Sequence, residues 1–237
     1  MSCPDQAGPK GRIHMSYKEE FIEFMVRSGV LTFGDFVTKS GRRTPYFINT
    51  GNYKTGYQAS KLGEFYARCL VANKAIPDVL YGPAYKGIPL AVTCASSLYT
   101  LFNTDVQYCF NRKEVKDHGE GGSLIGAKLK DGQRVLIVED VITAGTSVRE
   151  SVPLLKATAN VEVDGLIVSV DRMERGSGEL SALDEVRRDY GINTYALVTV
   201  RDIINTLHNR PVDGKVYIDD ATREAMEKYL DLYGAKG

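Results

Sequence analysis

The sequence predicts an α/β fold with a five-stranded, mostly parallel sheet, helices on each side and a small N-terminal region over one end. Three observations predict it. Five short apolar runs alternate with segments of helical length, the hairpin dipeptide Asn-Gly is missing between them, and the runs VLIV and LIVSV are continuously apolar. Such alternation indicates parallel strands joined by helical crossovers, and a continuous apolar run is typical of a strand covered on both faces.

The elements follow in chain order. Ser16 is a suitable N-cap for a first helix, Phe21, Phe24 and Met25 share one of its faces, and Gly29 suits its end. A second helical stretch at 59–73 leads into the sheet. The predicted strands are 79–81, 106–110, 134–138, 165–170 and 194–200, and the helices between them include 88–102, 146–157 and 178–189. After residue 200 the chain predicts helices around a turn at 211–214, for which the sequence suggests no function.

Composition limits the classes of function. Hydrophobic residues make up 43% and charged residues 25% of the 237 positions, close to the averages for soluble globular proteins, and the length suffices for one sizeable core. Because 30 basic side chains balance 30 acidic ones, the chain as a whole has no net positive charge that would attract nucleic acid or an anionic membrane. Any anion that it binds must therefore meet a local cluster of charge.

Cysteine usage and the N-terminus indicate the compartment. The four cysteines lie far apart without Cys-x-x-Cys or Cys/His spacing, which argues against disulfides and a zinc site and favours a reducing cytoplasm. No apolar run approaches the roughly 20 residues that span a bilayer. We interpret residues 1–14 as a vector-derived leader, with Met15 as the native start, and leave them out of the fold.

The segment VLIVEDVITAGTS, residues 135–147, combines features of a ribose-phosphate site. Ligands of open parallel sheets bind at the carboxyl ends of the strands, which is where Glu139 and Asp140 fall. Carboxylates accept hydrogen bonds from the two hydroxyls of a ribose, while the small residues that follow let backbone N–H groups and a helix N-terminus bind a phosphate. The simpler alternative is a strand end with two solvated acids and an ordinary capped helix.

Two other predicted strand ends also carry cations. After residue 81 comes GPAYKGIPLA, in which Lys86 stands at the start of a helix, although a plain strand-to-helix turn would have the same composition. After residue 110 comes NRKEVKDHGEGG, whose only sizeable apolar residue is Val115. Such a segment cannot pack a core, so we interpret it as a lid over a diphosphate rather than as a merely solvated charged loop.

These motifs resemble a known family. VLIVEDVITAGTS is similar to the phosphoribosyl diphosphate (PRPP) signature of type I phosphoribosyltransferases, which implies that the acid pair holds the ribose while the loop cradles the 5-phosphate. The residues that this signature assigns to PRPP are Glu139, Asp140, Val141, Ile142, Thr143, Ala144, Gly145, Thr146 and Ser147.

The charged segment, with YGPAYKGIPLA before it and VSVDRMERG after it, resembles the orotate phosphoribosyltransferases rather than the purine members, over about residues 16–199. The resemblance implies further contacts to PRPP or the departing diphosphate, from Lys39, Tyr85, Lys86, Arg112, Lys113, Lys116 and His118. It assigns catalytic roles to Arg112, Lys116, His118 and Asp140. Because the lid of the family reaches across a dimer interface, it also implies a homodimer with shared sites.

Orotate itself is expected to meet Arg172, whose planar guanidinium can bind a carboxylate through two parallel hydrogen bonds. The alternative is a surface salt bridge from Arg172 to Asp171 or Glu174. The segment TKSGRRTPYFIN resembles the family segment that brings an aromatic pair to the base, but here Ile48 follows Phe47. The residues assigned to orotate are Phe47, Ile48, Thr143 and Arg172.

The resemblance thus implies transfer of a phosphoribosyl group from PRPP to orotate in pyrimidine biosynthesis, with Mg²⁺ bound through PRPP and water rather than directly by the protein. It implies one domain over residues 15–237, with an N-terminal hood at about 15–58 and C-terminal helices after 200. A fused decarboxylase is excluded by length, since its barrel needs typically about 250 residues. Two alternatives remain open: a transferase for another base, and a non-catalytic PRPP sensor with the same fold.

Overall fold

The structure, a computed structural model, describes residues 15–38, 41–112, 124–142, 145–176 and 178–236. The helices are α1 Tyr17–Arg27, α2 Gly56–Ala72, α3 Gly87–Phe102, α4 Thr146–Thr158, α5 Ala182–Tyr190, α6 Val200–Leu207 and α7 Asp220–Tyr233, with a 3-10 turn at Thr50–Asn52. The strands are β1 Leu31–Val37, β2 Arg43–Ile48, β3 Val79–Gly82, β4 Gln107–Asn111, β5 Leu124–Gly126, β6 Arg134–Val138, β7 Glu162–Asp171, β8 Asn193–Thr199, β9 Pro211–Val212 and β10 Lys215–Val216.

The central sheet has the strand order β5-β4-β3-β6-β7-β8, with every neighbouring pair parallel except β4 and β5. The predicted α/β class and mostly parallel sheet are confirmed, and the predicted strand count of five is wrong by one. The additional strand, β5, is a three-residue antiparallel edge strand. A segment this short, following a charged stretch, carries no apolar periodicity by which a sequence could reveal it.

Both faces of this sheet are buried, as the continuous apolar runs predict. In β6, Leu136 and Val138 belong to the core on the side of α2 and α3, whereas Val135 and Ile137 belong to the core on the side of α4 and α5. All four side chains are fully buried. The strand is therefore held from both sides, which fixes the position of whatever follows Val138.

Side-chain caps account for the starts of α1 and α2. Ser16 and Glu19 form a capping box at α1, so the predicted cap is confirmed. The second predicted helix begins three residues earlier than expected, at Gly56, because Thr55 and Gln58 form a capping box there too.

The N-terminal region is an antiparallel hairpin of β1 and β2, separate from the central sheet, followed by the 3-10 turn. Both lie within the predicted hood, at about 15–58, and we keep the name hood for that region. The side chain of Asn49 caps the turn by accepting a hydrogen bond from the N–H of Gly51 at 3.2 Å. The Asn52 amide donates to the carbonyl oxygen of Gly29 at 2.7 Å, which ties the turn to the end of α1.

The C-terminal part also forms a hairpin, between β9 and β10, where Asp213 and Gly214 take left-handed φ values of 51° and 80°. The turn predicted at 211–214 lies here. Beyond α7 the chain returns to the segment after β7, where the N–H of Ala235 donates to the carbonyl oxygen of Met173 at 2.8 Å. Within the described ranges, no helix combines the length and apolar character that crossing a membrane requires.

Candidate active site

The acid pair at the end of β6 has a fixed backbone. The N–H of Glu139 donates to the carbonyl oxygen of Ile167 at 3.0 Å, and the carbonyl oxygen of Glu139 accepts from the buried hydroxyl of Tyr66 at 2.6 Å. The carbonyl oxygen of Asp140 accepts from Ser169 twice, from the backbone N–H at 2.8 Å and from Oγ at 2.5 Å. Only the two side chains retain rotational freedom.

The two carboxylates have different surroundings. Glu139 is buried, and this burial raises the pKa of its carboxyl above the usual range, while a hydrogen bond with the Ser147 side chain acts in the opposite direction. The negative charge of neighbouring Asp140 raises the pKa of Glu139 further. Burial thus makes the ionised form of Glu139 energetically costly, and a further hydrogen-bond donor would stabilise its charge.

Asp140 is paired with a cation from the neighbouring strand. Lys86 Nζ lies 2.8 Å from Oδ2 of Asp140, and the hydroxyl of Thr50 in the hood donates to the same oxygen at 2.6 Å. The side chain of Lys86 is 64% exposed and that of Asp140 is 13% exposed, so the ammonium lies at the surface and the carboxylate lies beneath it. An anion approaching from solvent meets the ammonium first.

The turn between β3 and α3 lies unusually close to β6. A side chain at Gly87 would come within 2.7 Å of the carbonyl oxygen of Val138, and one at Gly82 would overlap the backbone of Gly87. Glycine is therefore required at both positions by close backbone approach. The N–H of Ala84 donates to Oδ1 of Asn111 at 2.8 Å, which connects this turn to the end of β4.

The helix α4 begins directly beyond the acid pair. Gly145 has a left-handed φ of 66° and precedes Thr146, the first helical residue, so a glycine suits this position. The N-terminus of α4 directs unpaired N–H groups and the positive end of its dipole toward this end of the sheet. A phosphate would be stabilised there.

Two cavities adjoin these elements. One, of ≈ 300 Å³, is lined by Pro83, Ala84, Asn111, Arg112, Ser147 and Glu150, and so joins the ends of β3 and β4 to the start of α4. The other, of ≈ 230 Å³, is mainly apolar and includes Lys86, Asp140 and Thr50 in its lining. Together they give a small molecule access to both sides of the Lys86 turn.

Arg172 lies after β7 in a network with the hood. Its Nε donates to Oε1 of Glu174 at 2.8 Å, and its guanidinium lies 5.1 Å from the ring centroid of Tyr46. The Tyr46 hydroxyl donates to the same glutamate oxygen at 3.0 Å. The ion pair of Arg172 with Glu174 that the simpler alternative predicts is present, although the two side chains are only 19% and 15% exposed, so the pair is largely buried rather than at the surface.

The guanidinium of Arg172 is not saturated by this pair. Nη2 lies 2.6 Å from the same oxygen of Glu174, yet it has no hydrogen bond of good geometry within the described residues. A guanidinium carries five N–H donors, so those that do not face Glu174 can bind a second carboxylate.

The structure brings Lys86, Glu139 and Asp140 together, places Arg112 beside the larger cavity and holds Phe47 and Ile48 in β2. Tyr85 is 66% exposed, and Val141 and Ile142 are half-buried. The remaining predicted site residues lie outside the described ranges: Lys39, Lys113, Lys116, His118, Thr143 and Ala144.

Sequence reasoning missed the part played by Thr50, Tyr46 and Ser169. Thr50 stands just beyond the quoted segment TKSGRRTPYFIN, which is the one local signal that could have drawn attention to it. No group of three or more His, Cys, Asp or Glu side chains among the described residues is arranged to hold a metal ion. The described cysteines, Cys69, Cys94 and Cys109, are buried and free.

Comparisons with known proteins give a consistent result. The family described as Phosphoribosyl transferase domain matches residues 49–194. An orotate phosphoribosyltransferase of Clostridium beijerinckii is 58% identical over 222 residues, covering 93% of this chain and 99% of that protein. One of Clostridium acetobutylicum is 56% identical over 221 residues, with the same coverage. A crystal structure of an orotate phosphoribosyltransferase from Francisella tularensis has a TM-score of 0.80 at 34% identity, covering 91% of this chain and 100% of that one.

Proposed function

The chain belongs to the orotate phosphoribosyltransferases within the phosphoribosyl transferase family, and we propose that it joins orotate to the phosphoribosyl group of PRPP. The bond from C1 of the ribose to the diphosphate oxygen breaks, and a bond from C1 to N1 of orotate forms. The products are orotidine 5'-monophosphate and diphosphate, a step in the biosynthesis of UMP.

One observation carries the site assignment. Lys86 and Asp140 come from neighbouring strand ends and meet at 2.8 Å, which sets an acceptor for ribose hydroxyls beside a cation for diphosphate. Glu139 adds a second acceptor, and the start of α4 offers donors for the 5-phosphate.

The chemistry of the reaction suits these residues. As diphosphate departs, C1 of the ribose gains cationic character, so catalysis depends on stabilising the leaving anion and holding the base in line. Lys86 and Arg112 are described cations at the ends of β3 and β4, and the sequence adds cations outside the described ranges. Those assigned to the diphosphate are Lys39, Lys113, Lys116 and His118, with Tyr85 beside Lys86. Of these groups, Lys116, His118, Arg112 and Asp140 are the proposed catalytic residues.

Orotate is distinguished from purines and uracil by its carboxylate. Arg172 is the proposed partner of that carboxylate, because Nε and Nη2 face Glu174 and the guanidinium carries further N–H donors that can form parallel hydrogen bonds to a second carboxylate. Phe47 and Ile48 of the hood, with Thr143, are proposed to contact the pyrimidine ring.

Mg²⁺ is proposed to enter with PRPP. Oδ2 of Asp140 is occupied by Lys86 and Thr50, and the carboxylate of Glu139 is buried, so the acid pair does not supply the set of open oxygen ligands that this ion prefers. Oxygens of PRPP and water would hold the ion, which would offset the negative charge of the diphosphate.

A homodimer and a cytoplasmic location complete the proposal. Four apolar side chains on α3 and β4 are more than a third exposed, and a second copy would cover them: Tyr99, Leu101, Phe102 and Tyr108. The free cysteines are compatible with a reducing compartment.

A base-panel assay tests the function. Purified protein with Mg²⁺ and PRPP is incubated with orotate, uracil, adenine or hypoxanthine, and the ultraviolet absorbance of each base is followed. We expect orotate alone to be consumed. Turnover of another base instead would identify a transferase with different specificity, and binding of PRPP without turnover of any base would identify a sensor.

A further inference from the structure

Thr50 connects the hood to both charged residues of the candidate site. Its hydroxyl donates to Oδ2 of Asp140 at 2.6 Å and accepts from Nζ of Lys86 at 3.2 Å. A hydroxyl has one proton to donate and two lone pairs, so both bonds form at once. Thr50 therefore connects the hood to both members of the Lys86–Asp140 pair at once.

The hydroxyl stands on a well-anchored turn. The N–H of Asn49 donates to the carbonyl oxygen of Val30 at 2.8 Å, and the Asn49 side chain accepts from Gly51. On the other side, Asn52 is hydrogen-bonded to Gly29. Thr50 is therefore held from both directions, and a short β-branched side chain adds little freedom of its own.

Lys86 is a less permanent partner of Asp140. Its long side chain is 64% exposed, and an arriving diphosphate offers the ammonium stronger acceptors than one carboxylate oxygen. When Lys86 turns to the diphosphate, Asp140 loses one of the two donors that orient it. The Thr50 hydroxyl carries no charge, so a diphosphate does not attract it away from Asp140 as it attracts the ammonium of Lys86.

We propose that Thr50 is a positioning residue that holds Oδ2 of Asp140, so that Oδ1 is presented to the ribose hydroxyls of PRPP. This inference rests on the proposed function for the role of Asp140. The backbone of Asp140 is already fixed by Ser169, which leaves the side-chain torsions as the freedom that Thr50 removes. Thr50 thereby makes PRPP binding depend on the position of the hood.

The test measures PRPP binding directly. Isothermal titration calorimetry with PRPP and Mg²⁺, without any base, is carried out on the wild type, Thr50→Val and Thr50→Ser. Thr158→Val is the matched control, because it removes a hydroxyl that bonds only to the carbonyl of Leu154 on an exposed helix end. Circular dichroism checks that each variant is folded, and Thr50→Ala replaces Thr50→Val should the latter fail to fold.

We expect Thr50→Val to weaken PRPP binding roughly 10-fold or more, because the hydrogen bond from Thr50 to the charged carboxylate of Asp140 is lost. Thr50→Ser and Thr158→Val should remain within about 2-fold of the wild type, since each keeps the Thr50 hydroxyl function. In turnover assays, the KM for PRPP of Thr50→Val should rise while the KM for orotate changes little.

Each other outcome has a defined meaning. Equal PRPP affinity in Thr50→Val and the wild type overturns the inference, and so does a Thr50→Ser variant as weak as Thr50→Val. A wild type that binds PRPP without consuming orotate rejects the proposed function, while the calorimetry still decides the role of Thr50. A wild type that does not bind PRPP rejects both.

Discussion

Arg172 donates through Nε to Oε1 of Glu174 at 2.8 Å, and this contact lies between the hood and the C-terminal helix. Tyr46 of β2 lies against the guanidinium, and Tyr229 of α7 packs edge-on against Tyr46 with ring centroids 6.0 Å apart. The arginine assigned to orotate thus lies between a near neighbour in sequence, Glu174, and aromatic residues that are distant in sequence. Its pairing with Glu174 leads to two linked predictions.

Arg172→Ala should raise the KM for orotate by roughly 10- to 100-fold, the range expected for losing charge-assisted hydrogen bonds. The KM for PRPP should change far less, because Arg172 is not assigned to PRPP. Steady-state kinetics with each substrate varied in turn measures both constants. Arg188→Ala is the control, since this arginine pairs with Asp189 at the exposed end of α5. Equal increases in both constants would remove Arg172 from the orotate site.

Glu174→Gln should raise the KM for orotate by about 3- to 10-fold, a smaller effect than loss of the arginine itself. The amide preserves the shape of the side chain but holds the guanidinium less firmly, so the fork is less well oriented for a second carboxylate. Glu224→Gln, which alters an exposed pair with Lys228, is the matched control. Tighter orotate binding in Glu174→Gln would mean that the glutamate competes with orotate instead of positioning its partner.

Lys116→Ala separates an enzyme from a sensor. Lys116 lies outside the described residues, and its assignment rests on the resemblance of the charged segment. We expect the variant to bind PRPP measurably while kcat falls by about 100-fold or more, as expected for removing a group that stabilises a developing anion. Lys228→Ala is the control. Unchanged turnover in Lys116→Ala would reject the interpretation of the segment as a catalytic lid.

Glu139→Gln should make the protein more stable and less able to bind PRPP. Burial raises the pKa of Glu139 in the folded state, so its ionisation opposes folding, and stability is lost as the pH rises through that pKa. The neutral amide avoids this loss and should raise Tm near pH 7 by about 2–4 °C, corresponding to roughly 1 kcal/mol. The gain should shrink as the pH falls toward the unfolded carboxyl pKa of about 4.3.

Calorimetric scans at several pH values measure the stability effect, and titration with PRPP measures the loss of affinity. Glu162→Gln changes an exposed glutamate at the start of β7 and should alter neither quantity. A Glu139→Gln variant with reduced Tm at neutral pH would show that the carboxylate stabilises the folded state after all.

The sequence predicted most of the central sheet because its strands are continuous apolar runs, and the comparisons confirm the resemblance to orotate phosphoribosyltransferases. The edge strand β5 was missed because three residues, LIG, show no period. The hairpin at Asp213 and Gly214 was anticipated only as a turn, although Asp-Gly is a strong hairpin signal.

The contacts that complete the candidate site could not be predicted from local sequence patterns, because they join residues that are far apart in the chain. Thr50 and Asp140 are 90 positions apart, and Tyr46 and Glu174 are 128 apart. Sequence periodicity describes which face of an element is buried, but it does not describe which distant side chains meet across two elements. Motifs located the strand ends, and only the fold shows that the hood supplies a hydroxyl to one of them.

The chain end beyond α7 has a practical consequence for anyone preparing this protein. Ala235 and Lys236 donate backbone hydrogen bonds to Met173 and Glu179, in the same segment that carries Arg172 and Glu174. Proteolytic loss of Ala235 and Lys236 during purification would remove these bonds. Batches that differ in their last few residues would then differ in apparent orotate affinity, so intact mass should be recorded alongside every kinetic measurement.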